Sequence, residues 1–309
     1  MTAQLHPVWL PGVRRGGLPP PYDASVGAVG LGDLLAGGLP AAPVVGPEGI
    51  ERLREQLDAA ARAAAAIGGW TDGEPLRLSK RLVTGLLRCP RSALADLGDE
   101  LGFADEQLVG LIVDAAAKLA TVSPRRAVTV ADAVAFPTAL GDPTVADRLS
   151  DLGDAAGALL AEAGTHVDRL TRSWPAIDAA WWPRVEEPVR VPLAGGAVTV
   201  AGRLDVLLGG PPTGRPGVVV EVKAGSWYDG MRADAHLYAL LVTLRDGEAP
   251  AAAMTVVADG TTQVEPVRPA VLEHAAERLE AAMGIAARLA AGEPPPDCPG
   301  PPACRTCGG

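Results

Sequence analysis

Lysine is almost missing from this chain, which otherwise uses arginine as its basic residue. Only three of the 309 residues are lysines, namely Lys80, Lys118 and Lys223. Positive charge is scarce as a whole, since the formal net charge is −10 at pH 7. Proteins that bind nucleic acids over a broad basic surface have the opposite balance. The composition therefore disfavours that class of protein, although net charge does not describe a local site.

Long apolar runs and aromatic residues are also scarce. No stretch is long and apolar enough to span a bilayer, which excludes a membrane-spanning helix. Proline and glycine interrupt the N-terminal segment, so we expect no signal peptide and a cytoplasmic protein. Aromatic residues make up only 4% of the chain, but hydrophobic residues reach 48%, enough for a sizeable core.

Helical and β-rich patterns follow one another along the chain. Helices are predicted over residues 47–67, 105–120, 144–173 and 231–247. Three short β-rich runs begin near residue 185, before the last of these helices, and a strand and a final helix come after it. This order predicts an α/β fold with a central mixed sheet flanked by helices and a helical N-terminal portion. We expect a Gly/Pro-rich arm plus a helix over residues 1–70, and a second region over 71–309.

Two carboxylates and a lysine stand in neighbouring strand patterns. Glu221 and Lys223 in "VVVEVKAG" project from the same face of a strand, because strand side chains alternate. An antiparallel pairing with "AGRLDVLLG" would bring Asp205 close to Glu221. Two such carboxylates suit Mg²⁺ or Mn²⁺, and an ammonium beside them can orient water or stabilise charge on a phosphate. The alternative is a solvated ion pair worth ~0.2–1 kcal/mol.

These segments resemble, in their order, the RecB-like branch of the PD-(D/E)XK nuclease superfamily. The branch includes the AddB nuclease domain and CRISPR-associated RecB-like exonucleases. It has a G-x-x-D strand, a [DE]-x-K strand and a helix carrying Q-x-x-x-Y. The corresponding segments here are "GRLD", "EVK" and "RADAHLYALL". In the last of them Tyr238 matches the tyrosine, and Asp234 stands in place of the glutamine.

The resemblance spans about residues 78–307 and implies a restriction-endonuclease-like fold over 71–309. It implies hydrolysis of DNA phosphodiester bonds with Mg²⁺ or Mn²⁺ held by Asp205, Glu221 and the Val222 carbonyl. Lys223 would position or activate the water, and Tyr238 would complete the catalytic set. The family's upstream G-x-x-x-H helix motif is matched to "GTHVDRL", where either Asp168 or His166 would face the metal, with Asp168 favoured by spacing.

The four cysteines are divided between the two ends of this region. Cys89 follows the helix "LSKRLVTGLLR", and Cys298, Cys304 and Cys307 lie in the proline-rich tail. The resemblance implies that they hold a [4Fe–4S] cluster, while a structural Zn²⁺ is the alternative, since four thiolates serve both. The family's downstream order is C-x2-C-x5-C, whereas this chain has C-x5-C-x2-C.

Basic and aromatic residues near these motifs are candidate DNA contacts. They are Arg77, Lys80, Arg81, Arg88, Arg91, Trp227 and Tyr228. The expected function is a DNA nuclease, an exonuclease acting on single strands or duplex ends, in repair, recombination or defence. A helicase or another nuclease-complex subunit is a candidate partner. The alternatives are a catalytically inert DNA-binding or assembly subunit with a nuclease fold, and a metalloprotein that is not a nuclease.

The cysteine arrangement can be tested on protein purified without oxygen. We expect the wild type to be coloured and to contain iron and sulfide, and Cys304→Ser to lose the visible absorbance, because a cluster needs its four sulfur ligands. Absorbance spectra and metal analysis are the measurements. Colourless wild-type protein containing zinc would contradict the iron–sulfur prediction.

Overall fold

The structure is a computed structural model of the chain. It describes residues 30–37, 45–91, 93, 105–124, 126–224, 227, 230–258 and 261–295. Its longer helices are α1 (Leu31–Gly37), α2 (Pro47–Gly68), α3 (Lys80–Arg88), α4 (Asp105–Val122), α5 (Val130–Ala139), α6 (Thr144–Leu152), α7 (Ala156–Ser173), α8 (Gly230–Asp246) and α9 (Pro269–Ala290). Its strands are β1 (Leu76–Ser79), β2 (Arg184–Leu193), β3 (Val198–Gly210), β4 (Arg215–Lys223), β5 (Ala252–Val257) and β6 (Thr262–Pro266).

The six strands form one mixed sheet with β3 at its centre. Strand β2 pairs antiparallel along one edge of β3. The other edge of β3 is shared, since β1 pairs with its first residues in parallel and β4 pairs with its last residues antiparallel. Beyond β4, strand β5 is parallel and β6 antiparallel. This confirms the α/β class with a mixed sheet, which the order of the sequence patterns predicts.

Helices cover both faces of the sheet. One core cluster includes buried residues of α2, α3, α8 and α9, such as Leu57, Leu86, Leu240 and Leu279. The other lies under α1 and α4–α7, with Ile112 at its centre. The helical N-terminal portion is therefore split, because α2 packs on α9 while α4–α7 cover the opposite face. No helix within the described ranges is long and apolar enough to cross a membrane.

Local sequence signals explain several helix ends near the sheet. The Ser79 side chain accepts a hydrogen bond from the Leu82 backbone N–H and so caps the start of α3. The region 144–173 is a pair of helices, α6 and α7, because Gly153 adopts a positive φ of 53° between them. Strand β1 therefore leads directly into a capped helix whose first residue is Lys80.

The shared edge of β3 has a gap between its two neighbours. The last β1 pair joins Ser79 to Ala201, and the first β4 pair joins Val206 to Val220. The residues 202–205 of β3, the "GRLD" segment, therefore have no strand partner on this edge. Side chains take over the hydrogen bonds there: the Tyr238 hydroxyl accepts from Arg203 N–H at 3.2 Å, and Asp205 Oδ2 accepts from Val222 N–H at 2.9 Å.

Strands β2 and β3 also kink at this level. Their register runs from Val185↔Val206 to Glu187↔Leu204, but Glu186 and Asp205 between them do not pair. Glu186 has a φ of 54°, in the left-handed region that a non-glycine residue rarely adopts.

The kink changes which core each strand contacts. On β3, Leu204 belongs to the core under α8 and α9, whereas Val206, two residues later, belongs to the core under α4. In a regular strand, residues two apart share a face. Asp205 stands at this change of face, where it contacts Lys118 of α4 and the Val222 N–H of β4.

Gly202 is required by the close approach of α8 to the gap. A Cβ at this position would lie 2.6 Å from Tyr238 Cε1 and 2.8 Å from its hydroxyl oxygen.

We expect Gly202→Ala to lower the free energy of unfolding by about 1–3 kcal/mol, as overpacking does. Urea unfolding measures this. Gly157→Ala in α7 is the control, since nothing lies within 4 Å of its new Cβ, and it should be neutral or slightly stabilising. Equal stability of the two variants would contradict the argument.

Candidate active site

The three lysines of the chain meet at the gap beside β3. Lys80 begins α3, Lys118 lies on α4, and Lys223 ends β4. They form ion pairs with five carboxylates from α4, α8 and three strands, namely Asp114, Glu186, Asp205, Glu221 and Asp234. We call these eight residues the lysine–carboxylate cluster. Every lysine in a chain that rarely uses lysine thus takes part in one network.

Glu221 lies at the most enclosed point of the cluster and is fully buried (0% exposed). Its Oε2 accepts hydrogen bonds from Lys80 at 2.6 Å and from Lys223 at 3.0 Å. Its Oε1 is buried and has no hydrogen-bond partner. Burial raises the pKa of Glu221, and the nearby Asp205 carboxylate adds to this, while the two lysines oppose it. An unpartnered oxygen at full burial is costly unless another group satisfies it.

Lys223 is fixed from two sides. Besides Glu221 it donates to Asp234 Oδ2 at 2.9 Å, and Thr84 of α3 donates to the other Asp234 oxygen at 3.2 Å. Burial lowers the pKa of Lys223, but the carboxylates of Glu221 and Asp234 outweigh burial and hold the pKa above its usual value. Lys223 is therefore a cation near neutral pH. Asp234, at the family's glutamine position, serves here as a partner of this lysine.

Asp205 connects the two sides of the cluster. Its Oδ2 is held by the Val222 N–H, and its Oδ1 lies 3.5 Å from the Lys118 ammonium. Because the N–H and C=O of a strand residue point to the same edge, the Val222 carbonyl also faces the gap. Asp205, Glu221, Val222 and Lys223, all candidates from the sequence, are thus brought together.

Tyr238 closes the gap from α8. Its hydroxyl accepts the Arg203 N–H, and its ring lies 4.8 Å from the Lys80 ammonium in a cation–π contact. Burial raises the pKa of Tyr238 to about 12. Tyr238 therefore remains neutral and holds both β3 and Lys80 in place. Burial lowers the pKa of Lys80, but Glu221 and Asp205 outweigh it and hold that pKa well above the usual range.

Three members of the cluster were missed by the sequence analysis. Lys118 is 4% exposed, and it forms ion pairs with Asp114, one turn earlier on α4, and with Glu186 of β2. The sequence does contain a signal for Asp114, because Gly110 and Asp114 have the same G-x-x-x-D spacing as Gly164 and Asp168 in "GTHVDRL". Gly110 lies beside Ala224, which follows Lys223, so α4 approaches the end of β4 closely there.

The structure does not bring Asp168 into the cluster. Asp168 is exposed on α7, where its carbonyl accepts a hydrogen bond from Arg172. It lines a separate cleft with Arg126, Thr129 and Arg172. His166 is partly buried on the same helix. Among the ion pairs and hydrogen bonds of the described residues, neither Asp168 nor His166 contacts the cluster. The helix α4, one layer closer to the sheet, supplies the acid instead.

The remaining candidates are distributed around the site. Arg77, Arg81, Arg88 and Arg91 are exposed on β1, on α3 and in the helical residues just after Cys89, whereas Lys80 points inward. Trp227 is partly buried between β4 and α8. Cys89 ends α3 and is completely buried. Tyr228, Cys298, Cys304 and Cys307 lie outside the described residues.

The cluster can be tested for its fit to a divalent cation. As the side chains stand, no three His, Cys, Asp or Glu residues in the described ranges form a ready metal site. The carboxylates of the cluster form ion pairs with the lysines instead. Two buried carboxylate oxygens of the cluster, Asp114 Oδ1 and Glu221 Oε1, nevertheless lack a hydrogen-bond partner. Hard carboxylate oxygens of this kind are the ligands that Mg²⁺ and Mn²⁺ prefer, so the donor set fits such an ion.

Comparisons with solved structures give distant likenesses. No family model matches the chain, and no curated protein matches it. Among solved structures, it resembles "Putative exonuclease" from Eubacterium rectale with 15% identity and a TM-score of 0.48, over 72% of this chain and 84% of that one. It also resembles SSO0001 with 15% identity and a TM-score of 0.23, over 64% and 82%. Such likenesses assign neither an activity nor a substrate, and the RecB-like resemblance rests on the residues themselves.

The burial of Asp114 makes stability depend on pH. Burial and the Asp205 carboxylate raise the pKa of Asp114 to about 8, against ~3.9 in an unfolded chain. Between these values the native state binds a proton that the unfolded state lacks, so stability falls as pH rises from about 4 to about 8. We expect Asp114→Asn, which cannot ionise, to make this fall smaller.

Urea unfolding at pH 5 and pH 8 in the presence of a chelator measures the effect. Asp168→Asn is the matched control, because it makes the same change on an exposed helix face. It should show the wild-type difference in unfolding free energy between the two pH values. If Asp114→Asn showed the same difference in unfolding free energy as the wild type, the Asp114 carboxyl would not be the cause of the pH dependence.

Proposed function

We propose that the chain is a metal-dependent deoxyribonuclease that hydrolyses phosphodiester bonds. The observation that carries this proposal is the meeting of Asp205, Glu221 and Lys223 at a break in the sheet, with a fully buried Glu221 oxygen left without a partner. A structural ion pair on a solvated strand face does not need such burial. The same three residues carry the resemblance to the RecB-like nucleases.

The metal ligands would come from both sides of the gap. Asp205 and Glu221 supply carboxylate oxygens, and the Val222 carbonyl faces the same edge. Asp114 would complete the set from α4, with its unpartnered Oδ1, in the role that the sequence analysis assigned to Asp168. A bound Mg²⁺ or Mn²⁺ supplies Lewis-acid stabilisation of the phosphoryl oxygens and lowers the pKa of a bound water.

Lys223 acts as a positioned cation in this mechanism. Its ammonium is held by Glu221 and Asp234 and remains protonated. It can therefore donate a hydrogen bond to the attacking water or to a non-bridging phosphate oxygen, where negative charge develops. Lys80 provides a second ammonium on the same Glu221 oxygen, 23% exposed and so within reach of a phosphate at the rim.

The DNA would approach along the face that carries β1 and α3. Arg77, Arg81, Arg88 and Arg91 are exposed there and can contact the phosphate backbone. Trp227 and Tyr228 follow β4, and they are candidates for stacking on unpaired bases. The family resemblance favours an exonuclease acting on single strands or duplex ends, in repair, recombination or defence, with a helicase-type partner.

A cluster held by Cys89, Cys298, Cys304 and Cys307 remains part of the proposal. Cys89 ends α3, and α3 packs against α9, the helix after which the cysteine-bearing tail follows in sequence. A [4Fe–4S] cluster, or a Zn²⁺, would connect the tail to the helix that carries Lys80. Closing so long a loop stabilises a fold through the unfolded state.

An inert DNA-binding or assembly subunit is the second candidate function. The observation in its favour is that Lys80 and Lys223 both form ion pairs with Glu221, the residue that the reaction needs as a metal ligand. Asp234 at the glutamine position strengthens this closed arrangement. Such a protein would bind DNA without cleaving it.

A nuclease assay with Mn²⁺ separates the two candidates. We expect wild-type protein to degrade linear DNA, and Lys223→Ala to lose roughly 100-fold or more of the rate, as loss of one charge-stabilising donor does. Single-stranded, linear duplex and closed circular substrates should be compared, since an exonuclease spares the closed circle.

Arg288→Ala is the control, because it removes an exposed cation at the end of α9, away from the lysine–carboxylate cluster. It should cleave at the wild-type rate. Equal cleavage by wild type and Lys223→Ala would overturn the catalytic assignment. DNA binding by anisotropy without cleavage in either protein would establish the inert subunit instead.

A further inference from the structure

Lys118 is the one lysine to which the proposed reaction gives no role. It lies on α4 with its side chain only 5% exposed. Its ammonium forms ion pairs with Asp114, Glu186 and Asp205. A buried ammonium is costly to desolvate and persists only with good partners. The three carboxylates form an oxygen cage around this ammonium, although within the described ranges they are not arranged as a ready metal site while Lys118 occupies it.

The shape of the cation is as informative as its charge. Lysine presents a compact point charge with three donors, whereas arginine presents a flat fork. This chain uses arginine wherever the surface needs a cation and keeps lysine here. The ammonium of Lys118 thus places a compact positive charge among carboxylates, as a metal ion would.

Glu186 shows that the backbone is shaped for this cage. Its φ of 54° places a non-glycine residue in the left-handed region, which costs of order 1–3 kcal/mol. The strained residue interrupts the β2–β3 ladder and puts the Glu186 carboxylate on Lys118, with Arg203 3.1 Å from its other oxygen. Neither the proposed metal ligands nor the water-positioning lysine requires Glu186.

Asp114 and Asp205 are shared between this cage and the proposed metal site. Asp114 contacts Lys118 through Oδ2 and leaves Oδ1 without a partner. Asp205 Oδ1 faces Lys118, and Asp205 Oδ2 accepts a hydrogen bond from the N–H of Val222, the residue after Glu221. Two cation positions that share bridging carboxylates are the arrangement of two-metal sites, with ions about 3.5–4 Å apart.

We propose that Lys118 fills the second cation position of this site, so that the chain binds one divalent ion where two-metal enzymes bind two. The inference rests on the proposed function for the first position. Lys118 is a positioning residue in this assignment: it holds Asp114, Glu186 and Asp205 in place and neutralises part of their charge. Glu186 belongs to the cage alone.

The number of bound ions tests the proposal without an activity measurement. Metal-free protein is titrated with Mn²⁺, and free Mn²⁺ is followed by electron paramagnetic resonance. We expect one ion per chain for the wild type, two for Lys118→Met, and one for Lys118→Met combined with Glu186→Gln, which removes a carboxylate of the vacated cage. Lys80→Met is the matched control, since it removes a lysine from the Glu221 side, and it should still bind one ion.

Each result is decisive. Two ions in the wild type, or one ion in Lys118→Met, would overturn the inference and leave the proposed nuclease function standing. No ion in the wild type would overturn the proposed function itself. Circular dichroism checks folding before titration, and if Lys118→Met does not fold, Lys118→Gln provides the same comparison with a neutral side chain that can still donate hydrogen bonds.

Discussion

The interrupted edge of β3 is the constraint on which the site depends. Between Ala201 and Val206 the strand has no neighbour on one side, so its polar backbone must find other partners. The Tyr238 hydroxyl accepts the Arg203 N–H of β3, and the Asp205 carboxylate accepts the Val222 N–H of β4, which faces the same gap. Both side chains belong to the candidate site. The break therefore opens a polar space inside an otherwise apolar sheet. It also lets helices from both layers, α3 and α8 on one face and α4 on the other, deliver charged groups to a single point.

Charge holds these groups together because neither sign is stable alone at this depth. Removing one partner of a buried pair leaves an uncompensated charge and costs about 3–5 kcal/mol. Glu221 depends on Lys80 and Lys223, and Lys118 depends on Glu186 and Asp205. Each side chain is thereby confined to a narrow set of positions before any substrate or ion arrives. That pre-organisation is what electrostatic catalysis requires.

The sequence was informative where local patterns carry the signal. The α/β class and the meeting of Asp205 with Glu221 and Lys223 follow from the order of the patterns and from strand periodicity. The contribution of α4 was missed, because no periodicity says which face of a helix will meet a distant strand. Gly110 and Asp114 had the right spacing, but "GTHVDRL" offered a histidine and drew the assignment to α7. Glu186 gave no signal at all, since its left-handed backbone depends on a kink between two strands that only the folded sheet contains.

The scarcity of lysine links the amino-acid composition of the chain to the structure of the candidate site. In a chain whose surface charge is carried by arginine, a lysine persists where a guanidinium does not serve. At each of the three positions the ammonium meets more than one partner in a confined space: two carboxylates for Lys223, a carboxylate and an aromatic ring for Lys80, and three carboxylates for Lys118. A guanidinium is a planar fork whose donors point in fixed directions, whereas an ammonium is a compact point charge with three rotatable donors. Composition sets these three lysines apart but does not place Lys118 in the site, and the broken edge of β3 explains why the three are gathered there.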